Sequence, residues 1–364
     1  MNILFAGGGT GGHVFPAIAV AEELIRRDPE TRLLFVGSNR GLEARILPER
    51  GYRFEAMTAG ALKGMSIIKK LATLLALPGT IRVAGEIVRQ FNPDVVVGIG
   101  GYASAPALAA ATLQGRPTLI LEQNLIPGLT NRLLAYFADV AAVNFEESRR
   151  FFPGNAVATG NPIRQEFFKV SAPPLESPFT ILIFGGSQGA RAINRAVVDA
   201  LPHLKGLRGR VRFIHQTGSA DEEMVRSGYA TYLFNAVVRP FFDDMPKQFE
   251  CSHLVIGRAG ASALGELAAT GRPSIIIPLP TAADNHQWKN GEVFERHGAA
   301  ILVAQADLTG ERLARVIESL VAHPGHCSEM ARATASLAVP EAASRIVDWV
   351  RKLAGKQVEE GKGH

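Results

Sequence analysis

Ile3-Leu4-Phe5-Ala6-Gly7-Gly8-Gly9-Thr10-Gly11-Gly12-His13-Val14-Phe15-Pro16 opens the chain and decides how the rest is read. The apolar run reads as a buried strand, the five glycines and one threonine as a tight turn, and Pro16 as part of the first turn of a helix. Such a turn aims unpaired backbone N–H groups and the positive end of a helix dipole at one point beyond the strand. Glycine suits it because a side chain blocks close approach and forbids positive φ. The chain therefore begins with a place for phosphate or another anionic group, and His13 stands at its lip.

Two familiar phosphate sites do not fit. Gly7, Gly9 and Gly12 satisfy G-x-G-x-x-G, but a dinucleotide site wants an acidic residue closing the next strand, and residues 32–37 lead into Ser38-Asn39-Arg40. A P-loop needs Lys and then Ser or Thr after its last glycine, where this chain has His13-Val14.

Bulk properties narrow the class. A length of 364 residues suggests two domains, each able to bury its own core, and 47% hydrophobic with 20% charged residues is a globular composition. The two cysteines, Cys251 and Cys327, exclude a disulfide framework and a thiolate metal site, and fit a reducing compartment. Asn2 leads directly into the first strand, so no secretion signal is expected. A net charge of +5 and a pI near 9.3 permit anionic partners. Nucleic acid is not expected, because no long Lys/Arg block with interleaved aromatics occurs. Residues 95–115 carry no formal charge and are long enough to span a bilayer on the usual criterion of ~20 residues. Gly98, Gly100, Gly101 and Pro106 interrupt them, so strand, glycine turn and small-residue helix is the better reading.

In order, the pattern predicts a helix over 14–27, a strand over 32–36, a helix over 41–50 and a short strand near 53–56. Residues 60–64 read as a loop, 66–90 as helix broken near Pro78-Gly79, and 94–99, 118–121 and 139–143 as strands. Alternation of this kind argues for a parallel sheet covered by helices. Thr159-Gly160-Asn161-Pro162 marks a boundary, and residues 171–178 read as exposed linker. A second series then opens with Phe179-Thr180-Ile181-Leu182-Ile183-Phe184-Gly185-Gly186-Ser187-Gln188-Gly189-Ala190. Val95-Val96-Val97-Gly98 through Gly115-Arg116-Pro117 is echoed by Leu254-Val255-Ile256-Gly257 through Gly271-Arg272-Pro273. The expected fold is α/β, two Rossmann-like doubly wound domains (1–162 and 163–340) whose strand carboxyl ends face a shared cleft. A final helix within 341–364 is expected to return to the first domain.

Several side chains could do chemistry. Gly257-Arg258-Ala259-Gly260-Ala261-Ser262 is a strand-to-helix turn, and Glu266 falls one helical turn beyond Ser262, placed to accept ribose hydroxyls or only to complement the dipole. Asp284-Asn285-His286-Gln287 suits sugar hydroxyls, with Asp284 alternatively an N-cap. Asp243-Asp244 reads as a helix cap rather than a metal pair. His13 is the candidate general base, because a helix N-terminus disfavours imidazolium and leaves a ring able to accept a proton.

Gly9-Thr10-Gly11-Gly12-His13-Val14-Phe15-Pro16, Glu122-Gln123-Asn124, Gly160-Asn161-Pro162-Ile163-Arg164, the Gly185–Ala190 loop and Asp284-Asn285-His286-Gln287 occur in this order, end to end. Together they resemble the MurG family of bacterial glycosyltransferases. The resemblance implies the GT-B fold, UDP-N-acetylglucosamine as donor and undecaprenyl-diphosphate-linked muramyl-pentapeptide as acceptor. It also implies inversion at the anomeric carbon and no cofactor or bound metal. By motif, Phe242 offers backbone to uracil and Glu266 takes the ribose. Ser187 and the turn of Ala261, Ser262, Ala263 and Leu264 meet the diphosphate. Arg164 and Gln287 reach the donor diphosphate and sugar, with Asn124 coming from the first domain. Thr10, Gly11, Gly12 and His13 face the reacting centre.

An acceptor carried on a lipid requires work at the cytoplasmic face of the bacterial membrane, as a peripheral protein and alongside other cell-wall synthesis proteins. Met65, Ile67, Ile68, Leu71, Leu74, Leu75 and Leu77 with Lys63, Lys69, Lys70 and Arg82 read either as a basic-rimmed patch for an anionic membrane surface or as a core-facing amphipathic helix. Rival functions are a GT-B transferase for another acceptor, a dinucleotide oxidoreductase and a non-catalytic nucleotide-sugar binder.

Overall fold

The structure is a computed structural model that describes residues 1–39, 41–57, 67–101, 103–173, 178–186 and 189–360, the side chains of 67–76 and 356–360 excepted. The chain divides into two compact units, Met1–Arg164 with Val339–His364, and Gln165–Ala338. The loop expected at 60–64, Lys63, Met65, Ser187, Gln188 and residues 174–177 of the linker lie outside the described residues, as do the side chains of Ile67, Ile68, Lys69, Lys70, Leu71, Leu74 and Leu75.

The first unit is built on β1 (Asn2–Gly7), β2 (Arg32–Gly37), β3 (Phe54–Ala56), β4 (Val95–Gly100), β5 (Thr118–Glu122), β6 (Val140–Val143) and β7 (Ala156–Ala158). They form one parallel sheet in the order β3-β2-β1-β4-β5-β6-β7. Strand periodicity sends Ile3 and Phe5 to one layer and Leu4 and Ala6 to the other, and all four are fully buried. A sheet covered on both faces is why β1 reads as a continuous apolar run. Phe5 stacks on Phe35 of the neighbouring strand, ring centroids 4.8 Å apart.

The helix expected to break near Pro78-Gly79 instead runs unbroken over Ile67–Phe91. Proline removes one intrahelical hydrogen bond and bends a helix without having to end it. The turns beyond Gly79 are held by Ala84, Val88 and Phe91, which are buried against Leu4, Val36 and Val96.

The last helix, Ala342–Glu360, belongs to the first unit and lies against the helix Gly11–Arg27. Ile346, Val347, Val350 and Leu353 are buried in the same core as Ile3 and Phe5. Arg27 adds an ion pair to Asp348 at 2.5 Å and hydrogen bonds to Ser344. Buried aliphatic side chains contribute about 1.5–3 kcal/mol each, against 0–1 for a pair whose carboxylate is mostly exposed, so packing holds the helix and the ion pair orients it.

The second unit carries β8 (Phe179–Phe184), β9 (Val211–Gln216), β10 (Asn235–Arg239), β11 (Leu254–Gly257), β12 (Ser274–Ile276) and β13 (Ala300–Leu302). These are parallel in the order β10-β9-β8-β11-β12-β13. The echoed sequence segments thus take equivalent places: β4 and then β5 follow β1 across the first sheet as β11 and then β12 follow β8 across the second. In each copy the Arg of Gly-Arg-Pro ties the helix end to a neighbouring turn, Arg116 to Asn92 and Pro93, Arg272 to the Phe249 and Thr270 carbonyls.

Beneath β9 lies a buried polar chain. His215, fully buried, meets Tyr229 Oη at 3.1 Å through Nδ1 and Asn194 Oδ1 at 3.0 Å through Nε2. Asn194 Nδ2 donates to the Thr217 carbonyl and to Asp221, both at 2.9 Å. Burial pushes the His215 imidazole down to a pKa of about 3. The folded unit therefore keeps it neutral while an unfolded chain takes a proton near the ordinary value of about 6.5. That stability is complete above about pH 6.5 and is lost as pH falls towards about 3, at roughly 1.4 kcal/mol per pH unit. Urea denaturation of the second unit at about pH 7 and about pH 4.5 is expected to show this loss, and His215→Gln to flatten it; an unchanged slope in the variant would place the titration elsewhere.

Candidate active site

In a doubly wound sheet, ligands bind beyond the strand carboxyl ends where the order reverses. In the first unit that point lies between β1 and β4, and the turns leaving these strands come into direct contact. Gly8 donates its N–H to the Gly100 carbonyl at 3.1 Å. Gly8 has φ +135, and a Cβ there would lie 2.4 Å from the Glu43 carboxyl carbon, so no side chain is tolerated.

Glu43, in the first turn of the helix Glu43–Glu49, is 1% exposed and was not singled out by the sequence. Its carboxylate accepts the Gly9 N–H at 2.7 Å and the Ser38 N–H at 3.0 Å. Gly9's donor therefore points inward. The anion site expected of the whole glycine run shifts to the start of the helix Gly11–Arg27, where Thr10 is the N-cap and makes no side-chain cap bond.

His13 sits in the first turn of that helix. A Cβ on Gly100 would approach its ring atoms to 2.8 Å, so the absence of a side chain there admits the imidazole. His13 Nδ1 is 3.3 Å from Oε1 of Gln123, which joins the first loop to the end of β5. Asn124 follows, its N–H and Nδ2 donating to Glu122 Oε1 at 3.0 and 3.1 Å. Glu122 Oε2 takes the Gly128 N–H at 3.1 Å and Asn131 Nδ2 at 2.9 Å. This carboxylate, 3% exposed, organises the loop from within. Arg164, 6% exposed, places its guanidinium 4.9 Å above the Phe15 ring. Of the expected residues, Thr10, Gly11, Gly12, His13, Asn124 and Arg164 all belong to the first unit, linked through His13–Gln123 and Phe15–Arg164.

The second unit repeats the plan at the ends of β8 and β11. The helix Ala261–Thr270 starts from Gly260 in extended conformation, which puts Ala261, Ser262, Ala263 and Leu264 in its first turn with Ser262 and Glu266 both 8% exposed. Arg258 is drawn back, donating to the Ile277 and Pro278 carbonyls and to Gln305 at 2.7–3.1 Å, so it supports the turn. Gln216, at the end of β9 and 2% exposed, was also missed. Its Nε2 donates to the Gly186 carbonyl at 3.1 Å and its Oε1 accepts the Phe242 N–H at 2.9 Å. One amide thus ties the glycine loop after β8 to the backbone expected to meet a base.

Gln287 Oε1 accepts the Leu279 N–H at 2.9 Å, fixing the loop after β12. The suggestion that Asp284 caps a helix is corrected: the N-cap of His286–Arg296 is Asn285, which makes no side-chain cap bond, and both residues have positive φ. Asp244 does cap Met245–Glu250, accepting the Lys247 N–H at 3.3 Å. Among the described residues no group of three or more His, Cys, Asp and Glu side chains is placed to hold a metal ion.

Comparison with known proteins gives the family. The glycosyltransferase family 28 N-terminal domain matches residues 3–143 and the C-terminal domain residues 180–346. The UDP-N-acetylglucosamine–N-acetylmuramyl-(pentapeptide) pyrophosphoryl-undecaprenol N-acetylglucosamine transferase of Syntrophus aciditrophicus is 46% identical over 96% of this chain and 97% of its own. The transferase of the same name from Citrifermentans bemidjiense is 44% identical over 95% and 98%. The crystal structure of Acinetobacter baumannii MurG superposes with a TM-score of 0.77 at 31% identity, covering 96% of this chain and 99% of that one.

Removing the Glu43 carboxylate leaves the Gly9 and Ser38 N–H groups without their acceptor. Glu43→Ala is expected to lower the stability of the first unit by about 2–4 kcal/mol, and Glu43→Gln by less, read by urea denaturation. Equal stability of Glu43→Ala and the parent protein would remove the carboxylate from its supporting role.

Proposed function

The chain belongs to glycosyltransferase family 28, and on that premise we infer that it transfers N-acetylglucosamine from UDP-N-acetylglucosamine to lipid-linked N-acetylmuramyl-pentapeptide, as its relatives are named to do. Its fold is GT-B, two Rossmann-like parallel sheets. The observation that carries the reading is the pair of strand-end turns, one with a histidine at a helix N-terminus and one with a carboxylate a turn into a helix.

In the proposed division of labour the second unit holds the donor. Ser187, Ala261, Ser262, Ala263 and Leu264 meet the diphosphate, Glu266 the ribose and the Phe242 backbone the uracil. With the Phe242 N–H already given to Gln216, the carbonyl of that residue is the group left to face the base N–H. Gln287 meets the sugar, and Asn124 and Arg164 reach the donor from the first unit, whose Thr10-Gly11-Gly12 loop serves the reacting centre.

The muramyl 4-hydroxyl oxygen bonds to the anomeric carbon as the bond to the diphosphate oxygen breaks, inverting that centre. The hydroxyl proton passes to His13, and the electron pair leaves with UDP. General-base assistance of this kind is worth about 10²–10⁴-fold. Charge grows on the departing diphosphate, and one helix terminus offers only about half an elementary charge. Two such termini with the Arg164 guanidinium supply the countercharge that a divalent ion supplies elsewhere, and we propose turnover without a metal.

The acceptor's lipid places the enzyme at the cytoplasmic face of the membrane as a peripheral protein. No helix among the described residues is long and apolar enough to cross a bilayer. A membrane-facing surface is supported by large apolar side chains left in solvent on the packed helices Ile67–Phe91, Ser104–Leu113 and Leu129–Leu134 and just beyond. Leu113 is 79%, Tyr136 72% and Phe137 70% exposed, with Val83 and the exposed Arg82 on the first of these helices. Isolated apolar side chains on a surface are ordinary, but several on adjoining helices mark an interaction face.

With UDP-N-acetylglucosamine and a lipid-diphosphate muramyl acceptor, the protein is expected to form the disaccharide product in excess chelator. Activity restored only by magnesium would overturn metal independence, and no product under any condition would overturn the reading. His13→Ala is expected to lose about 10²–10⁴ in kcat while donor affinity stays within about twofold. Tyr136→Ser with Phe137→Ser should weaken sedimentation with anionic phosphatidylglycerol vesicles and leave turnover of a short-chain soluble acceptor unchanged. Undiminished vesicle binding would remove that face from the membrane contact.

A further inference from the structure

We propose that Gln123 is the positioning residue for His13: its Oε1 accepts from Nδ1–H, fixes that tautomer and leaves the Nε2 lone pair to receive the acceptor proton. The inference rests on the transferase reading but names a residue to which that reading gives no task. Three observations carry it. The Gln123 oxygen is the atom turned to Nδ1, at 3.3 Å. Its side chain is 98% buried (2% exposed) at the carboxyl end of β5, where the Asn144 amide holds the Gln123 carbonyl at 3.0 Å and Glu122 braces the following loop. The imidazole rests on the bare backbone of Gly100, which limits its tilt.

A neutral imidazole carries one proton, and the hydrogen bond made by one nitrogen decides which nitrogen is the base. An amide oxygen makes that choice without adding charge. A carboxylate in its place would raise the imidazole pKa and set a negative charge beside a site that gathers diphosphates. The carboxylates on the surrounding elements are turned to other work, Glu43 to the Gly9 and Ser38 N–H groups and Glu122 to the Asn124 loop, and the Arg164 guanidinium lies over the face of Phe15.

The full-length protein with ¹⁵N-labelled histidine, in parent, Gln123→Met and Gln123→Glu forms, tests this. The parent should show His13, assigned by its loss in His13→Ala, as the Nδ1–H tautomer at neutral pH. Gln123→Met should shift the signal towards the Nε2–H tautomer and lower kcat about 10–100-fold, with the donor KM within about twofold and the melting temperature near that of the parent. Gln123→Glu should raise the His13 titration midpoint by about one unit or more and carry the acid limb of the kcat profile with it. An unchanged tautomer in Gln123→Met with kcat within about twofold overturns the proposal, as does a loss of kcat that tracks KM and melting temperature. The tautomer is read without turnover, so a parent that transfers nothing would sink the transferase reading while the spectra still judged Gln123.

Discussion

The contact on which the first unit depends is backbone against backbone: the Gly8 N–H on the Gly100 carbonyl at 3.1 Å. In this strand order β1 and β4 are adjacent, and the turns leaving them must pass within van der Waals distance before going on to their helices. A Cβ on Gly101 would lie 2.6 Å from the Gly8 carbonyl oxygen, so the crowding is reciprocal. Relief of that crowding by glycine sets the helix Gly11–Arg27 at the sheet edge and lets His13 lie on Gly100. The catalytic candidate is a consequence of how two strands are allowed to end.

That geometry also explains what could be read in advance. Buried strands such as β1, β4 and β8 are apolar runs because both faces are covered, and their glycine turns follow at once, so order, architecture and the histidine were legible. The short strands β7, β10 and β13 were not: three to five residues bounded by ordinary loops give no periodicity, and tertiary pairing makes them strands. Glu43 and Gln216 were hidden for a different reason. Each bonds to backbone that becomes its neighbour only after the sheet forms, Glu43 across 34 positions to Gly9 and Gln216 across 30 to Gly186. Spacing within a helix or strand carries no trace of such a partner.

The two glycine turns are supported by different groups. Under the first lies a buried carboxylate, Glu43, which binds Gly9 inward and withdraws one donor from the surface. The loop after β8 is braced through amides: Gln216 holds the Gly186 carbonyl, and a Cβ on Gly189 would collide with the Thr217 carbonyl that Asn194, bonded in turn to neutral His215 and the Asp221 carboxylate, keeps in place.

Charge limits what may stand behind His13. In the proposed transfer imidazolium forms only as the proton moves, when the departing diphosphate is most negative, so its charge is best left to appear in the transition state rather than the ground state. A carboxylate at position 123 would stabilise imidazolium before the substrate arrives. The Gln123 amide, held by buried backbone, carries no charge and so adds none beside the ring. A side chain chosen for direction rather than charge is what the proposed base requires.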